Sequence, residues 1–317
     1  MAKVYVTWQL PTEGLEPLKK KHQVDVNCSQ SPLSGEQLLE VVKNYDAVIC
    51  LLNDKIDKEV IAAAQDRVKI FANYAVGYDN IDVGAARQAG IHVSNTPGVL
   101  TEATADLAWT LMLAAARNLI PAHNHAAGGK FSGWHPTAFL GRDLHGATLG
   151  IIGAGRIGQA VARRAQGFGL QVLFYNKSPR PRLEHSGNAR WSDLDELLRS
   201  SDFISLHVPL TEETRHMLDS KRLAMLKPTA VVVNTARGPI IDEAALAKAL
   251  KERKIFAAGL DVYEHEPEIH PDLMGLDNVV LAPHIGSASW RTRLKMARMA
   301  AANVEAVLAG RPPVNPV

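Results

Sequence analysis

Two cysteines in 317 residues are too few for a disulfide framework or a thiolate metal cage. Cys28 lies in a polar segment, and Cys50 sits inside the apolar run AVICLL, where it reads as a small core residue. Net charge is nearly absent as well: Lys and Arg number 35 against 33 Asp and Glu, a formal +2. A balance this even sets up no overall field for nucleic acid or an anionic membrane, so any anion must be recognised locally. No apolar run reaches the ~18 residues that cross a bilayer. MAKVYVTWQL has no apolar stretch behind its basic residue, as a secretory signal would. A cytoplasmic location is therefore expected, with no nucleic acid and no membrane as partner. Of the 12 histidines, His123 and His125 are the tightest pair. Their spacing does not place both rings on one helical face and no third ligand is near, so no metal is expected.

What is present is an ordinary folded composition, 46% hydrophobic and 21% charged. The length exceeds what one core usually supports, so two domains are expected. Short apolar runs alternate with helical patterns: KVYVTW, HQVDVNC, DAVICLL, VKIFANYAV and IHVSN are the first five strands. Such alternation predicts an α/β fold with helices covering a mostly parallel sheet. After the turn Thr96-Pro97-Gly98, TEATADLAWTLMLAAARNLI predicts a long helix with Thr101 as N-cap and Pro121 at its end. The glycine-rich stretch that follows has no sustained periodicity and reads as an excursion from the core. From Ala147 the alternation restarts and six more strands can be counted, ATLGIIG, QVLFYN, SDFISLHV, TAVVVNT, AAGLDVY and NVVLAPH, before an amphipathic C-terminal helix.

The sharpest motif is LGIIGAGRIGQAVA, in which Gly153, Gly155 and Gly158 fill G-x-G-x-x-G between a strand and a helical pattern. The first glycine permits the tight turn, the second lets backbone approach a pyrophosphate, and the third lets helix pack on strand. The N–H groups and partial positive charge of the helix start then face the phosphates. In this context the motif predicts dinucleotide binding.

A dinucleotide site of this kind usually carries an acid at the end of its second strand, bonded to the ribose hydroxyls. Here that position is Asn176, in FYNKSPR. Lys177, Ser178 and Arg180 offer two cations and a hydroxyl, suited to a phosphomonoester carrying about −1.5 to −2 charge. The expectation is a 2′-phosphate pocket and a preference for NADP(H) over NAD(H). A solvated basic turn would use the same residues.

Three further loops follow strands of the second half. Arg237 follows TAVVVNTA, Asp261 and Glu266 lie in GLDVYEHEP, and His284 closes NVVLAPH. A cation, a carboxylate and an imidazole at strand ends suit reduction of an oxoacid, in which hydride reaches the carbonyl carbon and a proton its oxygen.

The segments NYAVGYDNID, LGIIGAGRIGQAVA, HVPLTEETRHML, VVVNTARGPIIDE, AAGLDVYEHEP and LAPHIGSAS resemble, in order, the signatures of the D-isomer-specific 2-hydroxyacid dehydrogenase family. The similarity is closest to its glyoxylate and hydroxypyruvate reductase branch, and Asn176 is the main departure from its NAD-using pattern. The resemblance implies two Rossmann-like, doubly wound parallel-sheet domains. Residues 1–97 with 287–317 would form the substrate domain, and 98–286 an inserted dinucleotide-binding domain whose arm, about 121–145, makes a homodimer. Trp134 in that arm would reach a partner's active site or only anchor the arm. His284 would be the general acid, kept protonated by Glu266, with Arg237 holding the substrate carboxylate and polarising its carbonyl. Asp261 would face the nicotinamide carboxamide, and the backbone around Val76 and Gly77 would bind the substrate carboxylate, both domains closing over it. Further cofactor contacts would come from Arg156, Ile157, His207, Pro209, Thr214, Thr235 and Gly286. The expected activity is NADPH-dependent reduction of glyoxylate and hydroxypyruvate. The alternatives are a bulkier substrate such as 2-ketogluconate, or a cofactor-sensing binding protein.

Overall fold

In a computed structural model, residues 1–29, 31–178, 183 and 189–317 are described. The chain divides into two compact units, Met1–Leu100 with Ser287–Val317, and Thr101–Gly286.

The first unit is a five-stranded sheet built from β1 (Lys3–Val6), β2 (Gln23–Val26), β3 (Ala47–Cys50), β4 (Ile70–Asn73) and β5 (His92–Ser94), in the order β2-β1-β3-β4-β5. Every pairing is parallel. β3 and β4, AVIC and IFAN, are buried at all four positions, as strands covered on both faces must be. Helices Gly35–Asn44 and Lys58–Ala64 lie over one face, where Leu38, Val42, Ile61 and Ala64 meet Val48 and Phe71. The 19-residue helix Trp290–Leu308 packs against β3 and β4. Short acceptor side chains start the helices: Ser34 forms a reciprocal capping box with Gln37, and Asp57 accepts from the N–H groups of Glu59 and Val60.

The second unit holds seven strands, β6 (Thr148–Ile152), β7 (Gln171–Tyr175), β8 (Ala189–Trp191), β9 (Phe203–Leu206), β10 (Val231–Asn234), β11 (Ala257–Leu260) and β12 (Val279–Leu281). Their order is β12-β11-β10-β9-β6-β7-β8, again all parallel. Alternate residues serve opposite faces. Ile152, Ile204 and Val232 pack against Leu197 and Leu250, whereas Ile151, Phe203 and Val233 pack against Ala108, Met112 and Val161. Phe174 is fully buried in the second layer, and truncating such a ring to alanine costs about 3–5 kcal/mol. Strand order reverses between β6 and β9, the switch point where open α/β sheets bind ligands.

Two elements depart from the sequence reading. The sheet has a seventh strand, β8, three residues long at the edge and partly exposed, too short and too polar to show periodicity. The helix predicted to end at Pro121 instead runs Thr101–Ala116, starting at Thr101 itself. Asn118 then takes a left-handed conformation, φ 49°, and a second helix, Leu119–Ala127, begins. Asparagine tolerates that backbone, and Pro121 sits in the first turn, where a missing N–H breaks no helical bond.

Candidate active site

At the carboxyl end of β6 the chain turns at Gly153, φ 99°, where a Cβ would lie 2.6 Å from the carbonyl carbon of His207. Any side chain here would meet both backbone strain and the neighbouring loop. Gly158 packs directly against the Gly153 carbonyl, whereas nothing lies within 4 Å of the Cβ position at Gly155. Gly155 is also the N-cap of helix Arg156–Ala165 and brings no side-chain acceptor. The N–H groups of Arg156, Ile157 and Gly158 are thereby left for an anion.

Asn176 ties this turn to the next strand end. Its Oδ1 accepts the N–H of Ala154 at 3.0 Å, and its Nδ2 donates to the Ser178 carbonyl at 2.8 Å. Lys177 and Ser178 are exposed, and Lys177 is ion-paired with Glu213. Arg180 lies outside the described residues.

After β9, burial pushes the His207 imidazole down to about 3, so it is neutral, and its Nε2 lies 2.8 Å from Ser205 Oγ. The hydroxyl of Thr214 donates to the Pro209 carbonyl at 2.7 Å and accepts the Thr211 N–H at 2.8 Å, fixing that loop. Thr235, at the end of β10, has a buried hydroxyl with no partner among the described residues. Buried polar atoms are nearly always bonded. An open glycine and uncapped N–H groups past β6, with an orphaned hydroxyl past β10 of the same sheet, fit a bound dinucleotide.

The segments after β10, β11 and β12 carry Arg237, Glu266 and His284. Gly238 lets the Arg237 loop pack on the Tyr263 backbone, where any Cβ would overlap the Tyr263 carbonyl. The Arg237 guanidinium donates through Nη1 to the Ala236 carbonyl at 2.8 Å. Glu266 Oε2 lies 2.8 Å from His284 Nδ1, while its Oε1 accepts the Tyr263 N–H at 3.1 Å. Tyr263 also donates its hydroxyl to the Ala282 carbonyl at 2.9 Å, joining the Glu266 and His284 loops. With the carboxylate on Nδ1, that nitrogen carries the hydrogen and Nε2 is the atom that can give a proton to a substrate. Burial alone would raise the Glu266 carboxyl. The bond and charge of His284, the Tyr263 N–H and the charge of Arg237 outweigh it and hold Glu266 below the usual carboxylate range. His284 has φ 54°, and Asp261 accepts the next two N–H groups, Ile285 at 2.7 Å and Gly286 at 2.8 Å. Burial foremost lifts the Asp261 carboxyl to about 6, against these N–H groups and the His284 charge.

The sequence reading did not single out Tyr263, nor the pair His216 Nε2 and Glu264 Oε1 at 2.6 Å, which ties the loop after β9 to the stretch that carries Glu266. It also missed the asparagines of the first unit. Asn73 donates to the Gly77 carbonyl and Asn95 to the Val76 carbonyl, both at 2.8 Å. Asn73 belongs to the segment NYAVGYDN, so its proximity to Val76 and Gly77 was the available signal.

A glycine turn of this build at the switch point of a seven-stranded parallel sheet defines a dinucleotide-binding protein of the doubly wound class. A family model described as D-isomer specific 2-hydroxyacid dehydrogenase, NAD binding domain, matches residues 109–286. A glyoxylate reductase of Thermococcus onnurineus is 50% identical over 315 residues, covering 98% of this chain and 94% of that one. The crystal structure of a protein from Thermus thermophilus superposes with a TM-score of 0.93 at 44% identity, covering 99% of both chains. An NADPH-dependent glyoxylate/hydroxypyruvate reductase of Sinorhizobium meliloti, crystallised with NADP and malonate, gives 0.86 at 31% identity, covering 100% of this chain and 96% of that one. The chain belongs to the D-isomer-specific 2-hydroxyacid dehydrogenase family, in its glyoxylate reductase branch.

Proposed function

We propose that this protein reduces small 2-oxoacids, glyoxylate and hydroxypyruvate first, to 2-hydroxyacids with NADPH as electron donor. The observation that carries the reading is the pairing of His284 with Glu266 at 2.8 Å, within the electrostatic reach of Arg237. A carboxylate fixed on Nδ1 stabilises the imidazolium, so that Nε2 can protonate a carbonyl oxygen as it gains negative charge. Arg237 holds the substrate carboxylate and polarises the adjacent carbonyl. Gly153, Gly155, Arg156, Ile157 and Gly158 hold the pyrophosphate, and Thr235 supplies its unpartnered hydroxyl. When bound, the nicotinamide supplies a hydride to the carbonyl carbon. Asp261 serves the same chemistry by holding the backbone that follows His284.

Preference for NADPH is supported by the absence of an acid at Asn176 and by the cation and hydroxyl of Lys177 and Ser178. The Sinorhizobium relative, whose description names NADPH, glyoxylate and hydroxypyruvate, supports both halves of the reading. A second copy of this chain is the proposed partner. Phe131, Trp134 and Leu140 stand exposed on the arm, and solvent-exposed aromatic and aliphatic groups in one stretch suit an interface. No helix among the described residues is long and apolar enough to cross a membrane.

The test is spectrophotometric. Consumption of NADPH and of NADH is followed with glyoxylate, hydroxypyruvate and 2-ketogluconate. The expected result is the highest kcat/KM for glyoxylate or hydroxypyruvate with NADPH. Preference for 2-ketogluconate would move the assignment to a bulkier substrate. No consumption with any oxoacid, alongside tight NADPH binding, would make the protein a cofactor sensor.

A further inference from the structure

His216, in the loop after β9, has a left-handed backbone, φ 48°. Few residues other than glycine and asparagine adopt it, so a histidine here marks a constrained position. Its N–H donates to the Pro239 carbonyl at 2.8 Å. Two residues on, Leu218 donates to the Ile240 carbonyl at 3.1 Å and accepts the Asp242 N–H at 3.2 Å. The loop after β9 is thereby laid along the segment that follows Arg237.

The side chain reaches further. His216 Nε2 lies 2.6 Å from Glu264 Oε1, and because an ionised carboxylate only accepts, Nε2 carries the hydrogen. The other oxygen, Glu264 Oε2, accepts the Glu243 N–H at 3.3 Å at the start of helix Glu243–Lys251, where a negative charge is favoured. In return the Glu264 N–H donates to Glu243 Oε2 at 3.4 Å. Burial foremost would raise the Glu264 carboxyl, but the bonds from His216 and the Glu243 N–H outweigh it and hold it below the usual carboxylate range.

The residue before Glu264 is Tyr263, whose N–H meets Glu266 Oε1 at 3.1 Å and whose hydroxyl meets the Ala282 carbonyl at 2.9 Å. Gly238 packs on the peptide that joins Tyr263 to Glu264. Fixing Glu264 therefore fixes the backbone from which Glu266 and the segment before His284 are held. Every group in this chain belongs to the second unit.

We infer that His216 and Glu264 are positioning residues, which keep Glu266 against His284. The inference rests on the 2-oxoacid reading above and extends it to a pair that acts only through the backbone between. Without the pair the Tyr263–Glu264 peptide can turn, Glu266 leaves Nδ1, and proton delivery from Nε2 slows.

The experiment compares wild type with His216→Asn, His216→Gln, Glu264→Ala and the double variant His216→Asn with Glu264→Ala. Asparagine tolerates the left-handed backbone but its amide stops short of Glu264, whereas glutamine carries an amide about as far out as Nε2. The expected result is a kcat for glyoxylate at least tenfold lower in His216→Asn and in Glu264→Ala, with no further loss in the double variant. His216→Gln should recover to within threefold of wild type, and the NADPH Kd by fluorescence should stay within twofold throughout. A merely structural histidine would lower the melting temperature and leave kcat alone. Unchanged kcat in folded variants, a loss in His216→Gln as large as in His216→Asn, additive losses in the double variant, or weakened NADPH binding overturns the inference. If Glu264→Ala does not fold, the two His216 variants carry the test. If the wild type turns over no 2-oxoacid, the functional reading fails, and crystal structures of wild type and His216→Asn decide. A Glu266 carboxylate beyond hydrogen-bonding distance of His284 Nδ1 in the variant supports the inference, and an unmoved one overturns it.

Discussion

Asp261 holds the backbone that carries His284. Its two carboxylate oxygens accept the N–H groups of Ile285 and Gly286 at 2.7 and 2.8 Å, just past a histidine whose φ of 54° few non-glycine residues adopt. A non-glycine residue in this left-handed conformation persists only where its surroundings over-determine it. The Asp261 carboxylate and the Glu266 contact on the ring supply that constraint from two sides.

Asp261→Asn tests this arrangement. The amide keeps one acceptor and sets its NH2 against one of the two N–H groups, and an unsatisfied buried donor costs about 1–3 kcal/mol. Turnover of glyoxylate is expected to fall at least tenfold, with a lower melting temperature. Steady-state assay and thermal unfolding on one preparation check both, and wild-type turnover would leave the loop geometry without a role.

His284→Ala removes the proton donor proposed above and is expected to lower kcat by about 10²–10⁴-fold while NADPH still binds. Glu266→Gln removes the carboxylate that meets His284 Nδ1, so kcat/KM should fall at least tenfold. In wild type the interaction with His284 holds the Glu266 carboxyl low. The pair is therefore present above the usual carboxylate range and lost only as pH falls through that lowered value. Profiles of kcat/KM against pH read both effects.

Asn176→Asp should shift preference toward NADH. The Ala154 N–H keeps its acceptor, the bond to the Ser178 carbonyl is lost, and a negative charge meets the 2′-phosphate. The ratio of kcat/KM for NADPH to that for NADH is expected to fall at least tenfold. An unchanged ratio would mean that the phosphate is read elsewhere.

Lys177 is ion-paired with Glu213, and both side chains are largely exposed. Exposed pairs are worth about 0–1 kcal/mol, so the lysine can exchange its partner for a phosphate. Glu213→Gln should lower the KM for NADPH by about two- to fivefold at low salt, an effect that fades as salt rises.

His207 makes the fold acid-sensitive. Burial holds its folded form neutral down to about 3. The unfolded chain takes up that proton below about 6.5, so the folded state loses ground as pH falls from there toward about 3, by up to ~1.4 kcal/mol per unit. Urea midpoints measured across this range should fall more steeply for wild type than for His207→Asn.

The sheets were legible because buried parallel strands are near-continuous apolar runs, as in β10, VVVN. β8 was not, because three edge residues, ARW, carry no such run. Arg237, Glu266 and His284 stood out as charged groups just past such strands, and the structure gathers them through contacts that no short motif states. Tyr263 reaches the Ala282 carbonyl across 19 residues, and Asp261 reaches Gly286 across 25. Asn95 lay outside the reading for the same reason, since the carbonyl it holds is 19 residues away, whereas Asn73 bonds a carbonyl only four residues on and looks, in sequence, like any turn residue.

The loop after β4 is held by its main-chain carbonyls, a group that every amino acid supplies alike. Side chains at Val76 and Tyr78 can therefore change while the path of the chain is kept. A library randomised at those two positions, proline excluded, should retain the fold and its melting temperature while presenting a wide range of new surfaces on one fixed backbone.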